Sequence, residues 1–333
     1  MTAFCLWAAV QGIDDFGQVR DSFAEANYAT LPVLLILLII FYWIKAIRWK
    51  LLLSPLKQFR TAEIVPPMMI GFMGNNVLPF HLGELIRVYV LSRDQQLSKT
   101  AVLSSVVLER IFDIVAILVF FGSGLLFVKG LPESYRTRSL YIAGGTIVLV
   151  LFLLLYVFWT HRFVKVAERI LAGLRFLPVR LRERLVEMLE SGATGLGSMK
   201  SGRLTFWIVV TSAAQWAVNG LMIYIALWSF GITLSPLASF VVMGVTAFGV
   251  TLPSSPGFFG VIQLCFWISL KPFGEDQATV FAASVYYHLS QYIPVTLTGL
   301  YFWNRTGLRL TAIKQDAVAE GDPLVSEGSV ADG

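Results

Sequence analysis

The sequence predicts an all-α polytopic membrane protein built from about five full spans and two broken, re-entrant hairpins. Three observations carry that reading. The 333 residues are 56% hydrophobic and only 14% charged, with a mean hydropathy of +0.71, a composition outside the range of soluble domains. Leu204–Leu270 contains no charged residue over 67 positions, far more than one span can use. Leu78-Pro79-x-x-x-Gly83 recurs as Leu252-Pro253-x-x-x-Gly257, each time between apolar runs.

The elements follow in order. Residues 1–25 form an N-terminal flank. MTAFCLWAAVQGI lacks a basic leader and is short for a span, so residues 1–13 read as an interfacial anchor or a shortened first helix. Ala26–Ile44 is uncharged and long enough to cross a bilayer core. Lys45, Arg48, Lys50, Lys57 and Arg60 follow it and read as a cytoplasmic flank under the positive-inside rule. The first half of the transmembrane domain covers 26–160. Its hairpin, 64–91, holds Pro66, Pro67, Gly71, Gly74, Pro79 and Gly83, too many breaks for one smooth helix. Ser98 is a candidate N-cap for a long helix through Phe127. Glu109 falls ~15 Å along it, near the bilayer midplane, with Asp113 one turn on and on the same face. Lys129–Arg138 reads as a short outer loop and Ser139–Thr160 as a return span.

The stretch from Arg162 to Arg203 holds nine Lys/Arg and four Asp/Glu. Apolar residues at helical spacing suit helices lying on the inner leaflet, and an ordinary cytoplasmic linker explains the charge equally well. The second half, 204–303, comprises a span over Leu204–Phe230, a hairpin over 236–270 around Pro253, Gly257 and Gly260, and a last span over Ala278–Trp303. The tail, 304–333, is expected to be cytoplasmic and disordered: Arg305, Arg309 and Lys314 follow the span, and from Asp316 it is acidic and rich in small residues. The charge bias opens the first hairpin to the cytoplasm and the second to the outside. That is the pattern of an inverted repeat with a midplane site.

Candidate site residues come from the breaks and the charges. Ionisable groups at membrane depth are costly and mark function by default. The site would combine Asn75, Asn76, Glu84, Arg87, Glu109, Arg110 and Asp113 with Ser254, Ser255, Gln263, His288 and Gln291. Arginine forks suit a phosphate, and Glu84 stands one turn before Arg87, where the two can pair. A buried ion-pair network that only locks the hairpin is the structural alternative. No metal or cofactor is expected, because His81, His161 and His288 have no ligand spacing and no Ser-His-Asp set or paired-Cys motif is visible. Cys5 and Cys265, in apolar surroundings, read as packing residues. The net charge of +5 sits beside apolar spans and is no nucleic-acid signature.

These motifs bring a known family into view. Asn-x-x-Leu-Pro-x-x-x-Gly-Glu-x-x-Arg at Asn75–Arg87, Glu-Arg-x-x-Asp at Glu109–Asp113, Pro-x-x-x-Gly-x-x-Gly at Pro253–Gly260 and Arg48-Trp49-x-x-Leu52-Leu53 resemble the flippase-like family. That family includes the transmembrane region of lysylphosphatidylglycerol synthases. The resemblance covers Ile44–Trp303. It implies translocation of a lipid between leaflets. With the arginine forks, the expected cargo is an anionic phospholipid or related lipid; the expected location is the bacterial cytoplasmic membrane, multi-pass, with a soluble lipid-modifying enzyme as a candidate partner. His81 stands where the family usually has Arg before Leu-Gly-Glu, Gln263 where it has Glu, and His288 where it commonly has Arg. The synthases' aminoacyl-transfer domain is expected to be absent, so the chain is not expected to be an enzyme. A membrane enzyme on a lipid-linked substrate and a scaffold for a soluble enzyme remain the alternatives.

Overall fold

The computed structural model describes residues 2–13, 15–129, 132–158, 202–251 and 256–306. Most of the basic segment 161–203, the tail from 307, and Pro253, Ser254 and Ser255 lie outside them. Eleven α-helices and no strand occur among the described residues. They are α1 Thr2–Val10, α2 Phe16–Glu25, α3 Leu31–Leu53, α4 Thr61–Val77, α5 Gly83–Gln95, α6 Lys99–Phe127, α7 Glu133–Phe158, α8 Gly202–Ser229, α9 Pro236–Thr251, α10 Val261–Leu270 and α11 Gln277–Thr306.

Some boundaries move from those read in the sequence. Helix α3 does not stop at Ile44; it runs nine residues further and carries Lys45 and Arg48 inside. Trp49, Leu52 and Leu53 bury there, which holds the helix together past its cationic residues. The expected loop 129–138 is helical from Glu133. Ser98 stands at the N-cap of α6 with extended backbone, but its hydroxyl makes no capping bond. At the start of α4 the Glu63 carboxylate accepts from the Arg60 backbone N–H at 2.7 Å, satisfying one donor of the first turn.

The first break spans five residues between α4 and α5. Phe80 and His81 both take left-handed backbone, φ 58° and 57°, a region that side chains other than glycine enter only when the surroundings hold them there. The helices then run back alongside one another, Gly71 against Arg87 and Asn75 against Gly83. A Cβ on Gly83 would collide with the Gly71 carbonyl oxygen and with Asn75, so only glycine allows this approach. The second break also turns through left-handed residues, Gly257, Phe258 and Gly260. The two tips meet, with the His81 and Phe258 rings 5.4 Å apart.

Helix α3 packs on α8. Helix α4 packs on α11 and α9 on α6, α4 on α5 and α9 on α10, α5 on α6 and α10 on α11, and α2 on α11 and α7 on α6. Helix α1 lies against α10 and brings Cys5 into one buried apolar cluster with Cys265 and Val261; both cysteines are free.

The outer surface is apolar. Ile39, Trp43, Phe127, Tyr141, Val148, Phe206 and Leu297 all stand largely exposed. Soluble monomers do not present so extensive an apolar exterior, whereas a lipid-facing surface does. Among the described residues, Tyr28–Leu53 and Gly202–Ser229 are by themselves long and apolar enough to cross a membrane. Helix α6, 29 residues long, carries Glu109, Arg110 and Asp113 within its span.

Candidate functional site

The charges of α5 and α6 come together and are joined by two more that sequence reasoning missed. Glu109, fully buried, is the hub. Its Oε1 lies 3.0 Å from Lys45 Nζ and 3.0 Å from Arg48 Nη2, while its Oε2 accepts from Arg87 Nη1 at 2.9 Å. One turn on, Asp113 Oδ1 accepts from Arg48 Nη1 at 2.6 Å and from the Trp216 indole N–H at 2.7 Å. Arg48 Nη1 also reaches the Ser212 hydroxyl at 3.1 Å. Aromatic faces cover the cations on the apolar side: Lys45 stands 5.1 Å from the Phe72 ring centroid and Arg87 4.9 Å from that of Trp49.

Lys45 and Arg48 read in the sequence as the cytoplasmic flank of the first span. In the structure they are 3% and 0% exposed. The overlooked signal is the run Trp49-Lys50-Leu51-Leu52-Leu53 after them, which continues the apolar face of α3 and places both cations inside the bundle.

The expected Glu84–Arg87 pair is replaced. Arg87 is taken by Glu109, and Glu84 instead reaches across to α6, where Oε1 lies 3.0 Å from Arg110 Nη2. The geometric reason is that Arg87 points inward under α4, against Gly71, while Glu84 sits on the open side of the turn. Arg110 also approaches Asp113 at 3.5 Å. Its side chain is 39% exposed and that of Glu84 23%, whereas the other five groups are nearly or fully enclosed. Arg110 and Glu84 are therefore the accessible edge of the network.

By formal charge, Lys45, Arg48, Arg87 and Arg110 face Glu84, Glu109 and Asp113, which leaves one positive charge in excess. Arg48 Nε, Arg87 Nε and Nη2, and Arg110 Nε are buried without a hydrogen-bond acceptor. Orphaned guanidinium donors beside excess positive charge suit a phosphate or carboxylate group.

The uncharged candidates lie elsewhere. A cavity of about 200 Å³ is lined by Asn76, Trp216, Asn219, Thr246, His288 and Gln291, among others. Asn76 Nδ2 donates to the Thr296 hydroxyl at 3.0 Å, which ties the end of α4 to α11. Asn219 Nδ2 donates to the Tyr287 hydroxyl at 3.1 Å. Gln263 is buried and structural: its Oε1 accepts from the Gly260 N–H at 2.8 Å and caps α10. Its Nε2 stands 3.4 Å from His288 Nδ1. Asn75 is buried against Gly83 with its Oδ1 unpaired. Sequence reasoning thus named one site where the structure places two compartments, an ionic core and a polar cavity. Trp216 joins them, lining the cavity while donating to Asp113. Trp216, Asn219 and Thr246 lie in uncharged apolar runs and gave no signal of their own. Among the described residues no cluster of His, Cys, Asp and Glu could hold a metal.

Fold and site together define a helical membrane protein with a charged network on a broken helix pair. The family described as the lysylphosphatidylglycerol synthase TM region matches residues 1–299, and the chain belongs to it. The chain is similar to three curated relatives. A UPF0104 membrane protein of Methanocaldococcus jannaschii is 25% identical over 228 residues, 68% of this chain and 90% of the relative. Glycosyltransferase AglD of Haloferax volcanii is 24% identical over 306 residues, 82% of this chain but 48% of the relative. Phosphatidylglycerol lysyltransferase of Bacillus subtilis is 32% identical over 98 residues, 29% of this chain and 11% of the relative. The chain thus spans about half of the glycosyltransferase and a tenth of the lysyltransferase. No solved structure matches the chain.

Proposed function

We propose that the chain is a lipid translocator that moves an anionic phospholipid, or a lipid of like charge, between leaflets without altering it. The observation that carries this reading is the excess positive charge of the ionic core, with Arg110 at its accessible edge. The headgroup phosphate displaces Glu84 from Arg110 and takes up the Arg110 donors, Nη2 that Glu84 leaves and the orphaned Nε. Glu109 keeps Lys45, Arg48 and Arg87 fixed meanwhile, so the fork of Arg110 is the moving part. This revises the sequence reading, which gave Arg87 and Arg110 equal roles.

The two halves are proposed as an inverted repeat, α2–α6 and α7–α11. The helix neighbours support it, because exchanging the members of one set for those of the other returns the same main packing pairs. In that scheme α2 is the counterpart of α7, a shortened first span. The broken pairs α4–α5 and α9–α10 then enter from opposite sides, and their tips meet at His81 and Phe258. The location proposed is the bacterial cytoplasmic membrane, with a soluble lipid-modifying enzyme as a candidate partner.

A second reading, an enzyme acting on a lipid-linked substrate, is favoured by the names of the glycosyltransferase and lysyltransferase relatives. One experiment separates the two. Purified protein in phosphatidylglycerol vesicles carrying a headgroup-accessible fluorescent phosphatidylglycerol is assayed for leaflet exchange by external quenching, and the lipids are then weighed by mass spectrometry. Exchange above empty vesicles with unchanged lipid masses supports translocation. No exchange, or a new lipid mass, rejects it.

A further inference from the structure

A second cavity, about 180 Å³, lies between α3, α4 and α11. It adjoins the polar cavity, since Tyr42 and Val295 line both. Its remaining wall is almost wholly apolar, with Leu38, Met68 and Met69 at its depth. The Thr298 hydroxyl is spent on its own helix, donating to the Pro294 carbonyl at 2.7 Å. The mouth lies on the apolar exterior, where Ile39 is 69% and Trp43 51% exposed, while Met68 at the floor is 0% exposed. The groove is therefore open to the bilayer at one end and bordered at the other by Tyr42 and Val295, which it shares with the polar cavity.

We infer that this groove takes one aliphatic chain of the lipid whose headgroup occupies the polar side. The inference rests on the translocation reading and names where the tail of that substrate lies. A headgroup finds few partners there: the Thr298 hydroxyl is already engaged, and of the other lining residues Tyr42 and Trp43 alone carry a polar side-chain atom. A partner helix, ~10 Å across, is too wide for the space. An extended methylene chain, narrow and apolar, matches its lining. Lipid tails are as apolar as the groove wall, so the groove gains little from burial alone and acts by shape, holding the tail in register while the headgroup moves.

The test uses the whole protein in phosphatidylglycerol vesicles doped with a phosphatidylglycerol bearing a diazirine at the end of one acyl chain. After illumination, adducts are mapped by mass spectrometry. Adducts are expected on Met68, Met69 or Val65 as well as on exposed Ile36 and Leu297. Thr298→Trp, which fills the groove, should cut the inner adducts at least tenfold and leave those on Ile36 unchanged; Thr298→Val, which keeps the shape, should label as the wild type does. If Thr298→Trp does not fold, Val65→Trp fills the groove from the α4 side and is read in its place at Met68 and Met69. Adducts confined to exposed positions, or inner adducts equal in the filled variant, overturn the inference. Labelling needs no transport, so inner adducts in a protein that exchanges no lipid uphold the groove and reject the translocator. Exchange without inner adducts does the reverse.

Discussion

Glu109 and Arg110 are sequence neighbours with opposite duties. Glu109 holds three enclosed cations, and removing it leaves Lys45 and Arg48 to Asp113 and takes from Arg87 its carboxylate partner. Uncompensated buried charge costs about 3–5 kcal/mol. Glu109→Gln should therefore destabilise the protein by roughly that amount, whereas Arg87→Met should cost less, because Glu109 keeps Lys45 and Arg48. Thermal unfolding in detergent checks the order, and equal stability of both variants with wild type would remove Glu109 from the centre of the network. The charges on α5 and α6 were legible in the sequence because they interrupt apolar runs. Lys45 and Arg48 were not, since a cation at the end of an apolar run has an ordinary explanation in the positive-inside rule. Which carboxylate meets which arginine was not legible either. That choice is made by the approach of α4 to α5, which turns Arg87 inward and leaves Glu84 to Arg110.

At the scale of the element, the breaks were legible because proline and glycine leave a helix few alternatives. The break between Val77 and Gly83 falls where Pro79 and Gly83 place it. The tightness of the hairpin was not visible, because it depends on the face that Gly71 and Gly74 present to Gly83. Tightness changes what a substitution does. Gly83→Leu would drive side-chain atoms into the Gly71 carbonyl and Asn75, so it should separate α4 from α5 and displace Arg87 from Glu109. The expected result is loss of lipid exchange together with a lower unfolding temperature, rather than loss of exchange alone. Unfolding and exchange at wild-type values would show that the two helices do not pack as described.

For the molecule as a whole, an inverted repeat oriented by the basic bias of the sequence makes a definite topological prediction. The open ends of α4 and α5, near Gln58 and Asp94, should face the cytoplasm. Those of α9 and α10, near Thr233 and Lys271, should face outward. In a Cys5→Ser/Cys265→Ser background, Gln58→Cys and Asp94→Cys should react with an impermeant thiol reagent only after cells are opened. Thr233→Cys and Lys271→Cys should react in sealed cells. All four on one side would sink the inverted arrangement. The sequence carried the order of elements that suggests this arrangement, but not the packing of α3 on α8 or of α2 on α11, which only long-range contacts define.

The central claim is that Arg110, at the open edge of a positively charged core, carries the headgroup. The most direct measurement is the initial rate of phosphatidylglycerol exchange in vesicles for wild type, Arg110→Lys and Arg110→Gln, each first shown to unfold within a few degrees of wild type. The account predicts that Arg110→Gln loses at least tenfold in rate, and that Arg110→Lys, which keeps the charge but not the fork, falls between. Stable Arg110→Gln protein exchanging phosphatidylglycerol at the wild-type rate would contradict it.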